Sequence, residues 1–325
     1  MSDWTIALPG ETYESFAGEV SRSMDQGLQG PVRFNNLAIP PGSEMADPEY
    51  RNKYGLVTME CEIVNTDGAL PAAGEPIKTR DIVVATRAMP REDWVRTRVF
   101  CWVAELLHFD KLAQIPFVLA HESAGISYRD LIELFSDGLF QSLGERIKKS
   151  FPVLSEVRTF FLNKAKDLQN GGGELCHAQS WLNAWWPADE YMLIELCTNN
   201  KVRRFYDELE SALRLFLQKR SSQMNLSALS EGVELNYSLL KRPFATQDLE
   251  LELPHNIWEY YMSALKGIKI PLEYGPCHYL LDRSTKKWAS WQEWYKEVVR
   301  DLKTKDEIFY DCRRIPRPAS PPVKI

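Results

Sequence analysis

Apolar residues change their spacing along this chain, and the change divides it. Thr5-Ile6-Ala7-Leu8 is a short run ended by Pro9-Gly10, the pattern of a buried strand stopped by a turn. Tyr13, Phe16, Ala17, Val20 and Met24 then recur at helical spacing behind Thr12, with Glu14 in the first turn. Thr is a good N-cap, and an acid there suits the helix dipole. Gly27 and Gly30 close this helix, and Val32–Leu37 predicts a second strand that Pro40-Pro41-Gly42 stops. Strand, helix and strand in that order predict a βαβ unit with parallel strands and a right-handed crossover. From Pro40 to about Thr79 turn formers dominate, with one helical turn around Pro48 to Tyr54. A loop of that length inside a compact domain usually covers something or carries function. Asp81–Thr86 is apolar enough to predict a third strand, buried on both faces.

From Pro90 onward the spacing turns helical. Trp94, Val95, Val99, Trp102, Val103 and Leu106 make one wide apolar face, and Glu92 and Asp93 sit in the first turn. Further helices are predicted at about 127–148, 151–169, 187–221 and 289–302, with a break at Gly171-Gly172-Gly173. Ser230 to Leu253 reads equally as two strands or as loop. Tyr274–Asp282 and Asp306–Arg313 read as short extended pieces, and the proline-rich stretch from Ile315 as a loose tail. The pattern therefore predicts an α/β protein: about three parallel strands in 1–88, a mainly helical region in 89–314, and a tail over 315–325.

Composition excludes more than it assigns. Hydrophobic residues make up 44% and charged residues 26% of the 325 positions, ordinary for a globular chain with a sizeable core. A net charge of −6 gives no basic footprint for nucleic acid. No apolar stretch is long enough to span a bilayer, and the N-terminus lacks a basic region and a long apolar run. A cytoplasmic protein with no membrane partner is expected. The six cysteines (Cys61, Cys101, Cys176, Cys197, Cys277 and Cys312) are scattered, and the five histidines show no HExxH or HxH spacing. Unpaired thiols in a reducing compartment follow.

Leu8-Pro9-Gly10-Glu11-Thr12 is the most informative segment. A strand end, a tight turn and a helix start let main-chain groups approach a ligand closely. The same residues also suit a plain turn with a helix cap. Glu11 could orient a ligand amine or hydroxyl, or simply complement the helix dipole. Asn35 and Asn36 point to opposite faces of their strand, so one faces inward. Arg98 lies one turn from both Trp94 and Trp102; it could bind an anion, though stacking on indole is the commoner role. Trp181, Trp185, Trp186 and Tyr191 form an aromatic group suited to core packing or to a substrate platform.

Taken with its neighbours, that segment resembles the late-barrel motif of radical S-adenosylmethionine enzymes. Phe34-Asn35-Asn36-Leu37 followed by Pro40-Pro41-Gly42-Ser43-Glu44-Met45 is similar to the family's next strand and turn. Asp47-Pro48-Glu49-Tyr50, Lys53-Tyr54-Gly55-Leu56, and the block from Asp81 to Leu107 are similar to its cobalamin-associated branch. The likeness covers residues 5–110 and is looser beyond. It implies a partial parallel (β/α) barrel followed by a helical C-terminal domain. It also implies S-adenosylmethionine, a [4Fe-4S] cluster and cobalamin as cofactors, and methylation or radical chemistry at an unactivated carbon of a small molecule. Ile6, Leu8, Pro9, Gly10, Glu11 and Asn36 would be the cofactor-binding positions.

The departures are as informative. The family's CxxxCxxC cluster loop is absent, and so is a cobalamin domain ahead of it; Ala7 stands where Gly is common, and Ser43 where Thr is usual. The resemblance therefore implies the rear portion of such an enzyme, incomplete as a catalyst; a gene fragment, a split gene whose front part is a separate chain, or a mis-called start would each account for this. A non-catalytic binding module is the alternative. A hydrolase lacks support, since there is no GxSxG or HExxH, and the side chains of the adjacent pairs Cys176-His177 and Cys277-His278 rarely point to one place on a regular element.

Overall fold

The computed structural model describes residues 2–63, 78–139, 141, 146–173, 176, 187–243, 245–299 and 308–316. Strand β1 (Ser2–Ile6) pairs in parallel with β2 (Val32–Asn36), in a register running from Ser2 opposite Val32 to Ile6 opposite Asn36. Helix α1 (Tyr13–Asp25) connects them and buries Tyr13, Phe16, Ala17, Val20 and Met24, the stripe read from the sequence. Thr12 caps it. The Thr12 hydroxyl accepts the Ser15 N–H at 3.1 Å, and the Ser15 hydroxyl accepts the Thr12 N–H at 3.0 Å, a reciprocal cap that satisfies two orphan donors.

The stretch after β2 holds more structure than a loop. Helix α2 (Pro48–Tyr54) begins behind Asp47, whose carboxylate accepts the Glu49 N–H at 2.7 Å. It ends at Gly55, in the left-handed region at φ 61, where a Cβ would come within 3.3 Å of the Arg87 backbone. Strand β3 (Val57–Ile63) then pairs antiparallel with β4 (Lys78–Ala85). The third strand exists, then, but it is not a parallel one. Beyond the end of β2 it also runs antiparallel: the Val83 N–H donates to the Leu37 carbonyl at 2.8 Å, and Ile39 to Asp81 at 2.9 Å.

Helix α3 (Arg91–Ala104) and the π-helical turn that extends it (Glu105–Phe109) explain why no parallel strand follows β2. Arg98 donates from Nη1 to the Phe34 carbonyl at 2.7 Å, and Glu105 Oε1 accepts the Phe34 N–H at 3.0 Å. Both main-chain groups that a neighbouring strand would use at Phe34 are thus taken by α3 side chains. The predicted parallel barrel segment reduces to one βαβ unit bordered by an antiparallel pair, with no closed barrel among the described residues.

The remainder is mainly helical. Helices α4 (Gln114–Ala124), α5 (Tyr128–Glu133, extended by a π-helical turn over Leu134–Gly138) and α6 (Pro152–Gln169) lead to α7 (Ala188–Thr198), α8 (Val202–Lys219) and α9 (Leu226–Leu239). The single helix predicted over 187–221 is broken where Asn200 adopts φ 55, a conformation Asn tolerates better than most residues. The undecided stretch from Ser230 begins inside α9, whose cap is Asn225: its side chain accepts the Ser227 N–H at 2.9 Å. Strands β5 (Leu249–His255), β6 (Tyr274–Asp282) and β7 (Asp311–Ile315) form an antiparallel sheet in that order, with α10 (Ile257–Ala264) between the first two. Ile315 belongs to this sheet, and the tail from residue 317 lies outside the described residues. Helix α11 (Trp291–Trp294) continues as a π-helical turn to Val299. Buried side chains from β1, β2 and α1 share one continuous core with those of the helices.

Candidate functional site at the end of the first strand

β1 delivers its last residues to a tight turn. Ile6 and Ala7 are fully buried, and Ala7 sits at φ 63, a left-handed conformation that Gly adopts without strain. Leu8 is 41% exposed, Gly10 is at φ 91, and the Glu11 N–H closes the turn on the Leu8 carbonyl at 3.0 Å. The Glu11 carboxylate reaches back to the Leu8 N–H at 3.4 Å. Burial pushes the Glu11 carboxyl above the ordinary carboxylate range, against the backbone hydrogen bonds from Leu8 and Ala7.

Of the six positions singled out, Leu8, Pro9, Gly10 and Glu11 stand together on this turn within reach of solvent. Ile6 and Asn36 are register partners at the ends of β1 and β2, and both are buried beneath it. Asn35 lies on the opposite face and donates to Asp3 Oδ1 at 3.2 Å. Arg98 is buried with its guanidinium 4.4 Å from the Trp102 ring centre, so stacking and the Phe34 carbonyl occupy it. Tyr191 stacks on Phe160 at 4.9 Å; Trp181, Trp185 and Trp186 lie outside the described residues.

A charged network next to the turn escaped the sequence reading. The Tyr13 hydroxyl donates to Glu133 Oε1 at 2.7 Å, and the Arg96 guanidinium lies 3.7 Å from the Tyr13 ring centre. Arg96 also holds Asp137 at 3.0 Å, which Arg158 holds at 3.1 Å, while Arg129 bonds Glu133 at 2.9 Å and pairs with Glu14. Burial, followed by the bond to Glu133, pushes the Tyr13 phenol well above its usual range. The one sequence signal was Tyr13 itself, a hydroxyl within an apolar stripe. These bonds fix the start of α1, and with it the turn.

Among the described residues the thiols form no metal site. Cys61, Cys101, Cys176, Cys197 and Cys277 are buried. Among the described residues no group of three His, Cys, Asp or Glu side chains could hold a metal ion. Burial raises Cys101 well above its ordinary value and pushes Cys197 up to about 12, so these are protonated packing residues rather than thiolate ligands. An iron–sulfur cluster therefore does not fit the described residues. The turn does suit a small polar ligand, offering main-chain groups and one carboxylate acceptor. No described helix is long and apolar enough to cross a membrane.

Comparison with known proteins points the same way as the strand-and-turn motif. No family model matches the chain. Two low-identity matches over part of its length are to methyltransferases, one of them a cobalamin-dependent radical SAM enzyme, and they support a relationship to that group. The cobalamin-dependent radical SAM methyltransferase TokK of Streptomyces tokunonensis is 26% identical over 132 residues, 41% of this chain and 19% of that protein. The 2-(S-pantetheinyl)-carbapenam-3-carboxylate methyltransferase of Streptantibioticus cattleyicolor is 27% identical over 103 residues, 32% of this chain and 15% of that protein. The matched part thus spans less than a fifth of either relative.

Proposed function

We propose that this chain forms the rear strands and the substrate-side helices of a cytoplasmic radical SAM methyltransferase that acts on a small molecule. The observation that carries the reading is the parallel β1–β2 crossover ending in the Ala7–Gly10 turn, in a chain with partial matches to such enzymes. On this reading S-adenosylmethionine, when bound, supplies the methyl group or the radical. The main chain of Leu8, Pro9 and Gly10 approaches it, and Glu11 accepts a hydrogen bond from its amine or ribose. Ile6 and Asn36 hold the two strand ends in register beneath the turn. The cluster ligands and the cobalamin site come from a companion segment, encoded with this one or as a separate chain.

Two measurements test this. Coding DNA ahead of Met1 should carry an in-frame CxxxCxxC stretch, or a neighbouring gene should. Calorimetry of the chain alone should show S-adenosylmethionine binding weaker than micromolar, because most of the pocket would lie on the companion. Micromolar affinity in isolation would overturn the incompleteness. Stop codons and a promoter ahead of Met1, with no companion gene, would favour a non-catalytic binding module.

A further inference from the structure

Two neighbouring half-buried arginines have no carboxylate partner among the described residues. Arg242 follows the end of α9, and Arg283 follows the end of β6. The segment Ile308–Tyr310 ties them together. Lys241 donates its N–H to the Ile308 carbonyl at 2.8 Å, Tyr310 donates its N–H to Leu239 at 2.7 Å, and the Tyr310 hydroxyl donates to the Arg242 carbonyl at 3.1 Å. The Arg242 guanidinium lies 4.2 Å from the Tyr237 ring centre, and that of Arg283 lies 5.6 Å from the Tyr310 ring centre. Both side chains are half-buried, and the Nε of each is shielded from water with no acceptor.

Described acids on the same and adjoining elements bond other groups. Glu234 and Asp207 bond Arg203 at 2.6 and 3.1 Å. Asp248 accepts the N–H groups of Arg283 and Ser284, and Asp282 accepts that of Thr285. Among the described residues, the acceptor that reaches one of these guanidinium groups is the Ser238 carbonyl in the last turn of α9, which takes Arg283 Nη2. A helix C-terminus offers roughly half an elementary negative charge, against two positive charges here. Capping α9 therefore accounts for part of Arg283 and for none of Arg242. Burial pushes the Arg283 guanidinium below its usual range, and the charge of Arg242 acts in the same direction.

We propose that Arg242 and Arg283, walled by Tyr237 and Tyr310, form a binding site for an oxyanion: a carboxylate or a phosphomonoester on a small molecule. A guanidinium presents a planar fork of donors matched to such groups. Contact with the two rings, and for Arg283 the bond to the Ser238 carbonyl, already restrains both guanidinium groups, so less order remains to be gained on binding. The proposal does not depend on the methyltransferase reading.

The test is calorimetric titration of the full chain with inorganic phosphate and, separately, with propionate, at an ionic strength held constant with sodium chloride. Saturable binding is expected for at least one of the two, and the tighter one assigns the ligand class. Affinity should fall at least tenfold in R242M and in R283M, and stay at the wild-type value in R220M, whose arginine is paired with Asp130 at 2.7 Å. Should a Met variant fail to fold, R242K and R283K keep the charge without the fork and should bind more weakly than wild type. The proposal is overturned if both anions behave like chloride, the result expected if Asp306 or Glu307 supplies the missing carboxylate. Wild-type affinity in the folded arginine variants would overturn it equally.

Discussion

Arg98 holds the sheet edge at β2, and replacing it with Met tests whether that contact matters. Met keeps much of the buried stem while removing the guanidinium. Two losses follow. The Phe34 carbonyl loses a charge-assisted hydrogen bond of 2.7 Å in a buried position, worth about 1.5–3 kcal/mol. The stack on Trp102 at 4.4 Å contributes about 0.5–2 kcal/mol. Against these stands relief of the desolvation of a buried cation, and the Arg98 Nε already lacks an acceptor. A net destabilisation of about 2 kcal/mol is therefore expected, a large fraction of the roughly 5–15 kcal/mol that holds a domain folded. Urea unfolding followed by tryptophan fluorescence measures it, since Trp94 and Trp102 are both buried on α3. Glu105→Met removes the acceptor on the other side of Phe34, and the two losses should couple by at least about 0.5 kcal/mol because they secure one residue's main chain. A loss below about 0.5 kcal/mol in Arg98→Met, or strict additivity with Glu105→Met, would refute the view that α3 terminates the sheet.

Three other perturbations have expected outcomes. Asn236 is fully buried; it accepts the Ile115 N–H at 3.0 Å and donates to the Lys111 carbonyl at 2.9 Å and the Tyr206 hydroxyl at 2.8 Å. Asn236→Leu should cost about 3 kcal/mol or more by orphaning those groups, read as a lower urea midpoint. His108 is buried, bonded to Gln29 at 2.7 Å, and held by burial down at about 3. The unfolded chain binds that proton below about pH 6.5 while the folded chain does not, so stability present above that pH is lost as pH falls toward 3. The difference in stability between wild type and His108→Phe should accordingly change by about 1.4 kcal/mol per pH unit across that window, and a constant difference would contradict the assignment. Glu11 titrates in the opposite sense. Its raised value means the folded chain binds the proton more readily, so stability falls as pH rises through the folded value. Glu11→Gln should raise the melting temperature at pH 7, with the gain vanishing below the ordinary carboxylate range.

Where one element sets its own pattern, the sequence was readable. The α1 stripe behind Thr12, the helical turn at Pro48–Tyr54 and the extended piece Tyr274–Asp282 all carry their period or cap locally. Strand β3 sits between turn formers, and its pairing with β4 depends on a partner some twenty residues away, information that strand propensity does not contain. Helix α4 is buried on nearly every face, with Ile115, Phe117, Val118, Leu119 and Ala120 all inside, so it has no polar stripe to mark it. At the candidate site the order Leu8-Pro9-Gly10-Glu11 was legible as a turn, because Pro and Gly encode it. That Asn36 would lie buried opposite Ile6 was not, since register follows from the pairing of two strands. Arg98 was legible as a stacking partner of Trp102 but not as the group that closes an edge.

Closure of one edge bears directly on what the other can do. A parallel sheet grows only where main-chain N–H and C=O groups remain unpaired. On the β2 side, Arg98 and Glu105 occupy Phe34, and β4 occupies Leu37 and Ile39 in antiparallel fashion. On the β1 side, no further strand pairs with β1 among the described residues. On the proposed reading, strands from a companion segment would therefore have to add along β1, and parallel addition would bring their carboxyl ends beside Leu8, Gly10 and Glu11. Hydrogen exchange can separate the two edges. In the isolated chain the Phe34 amide, bonded to Glu105 at 3.0 Å, should exchange slowly, while β1 amides directed away from β2 exchange rapidly. Equal and strong protection on both strands would mean that β1 is already covered, leaving a companion no edge on which to build the rest of the pocket.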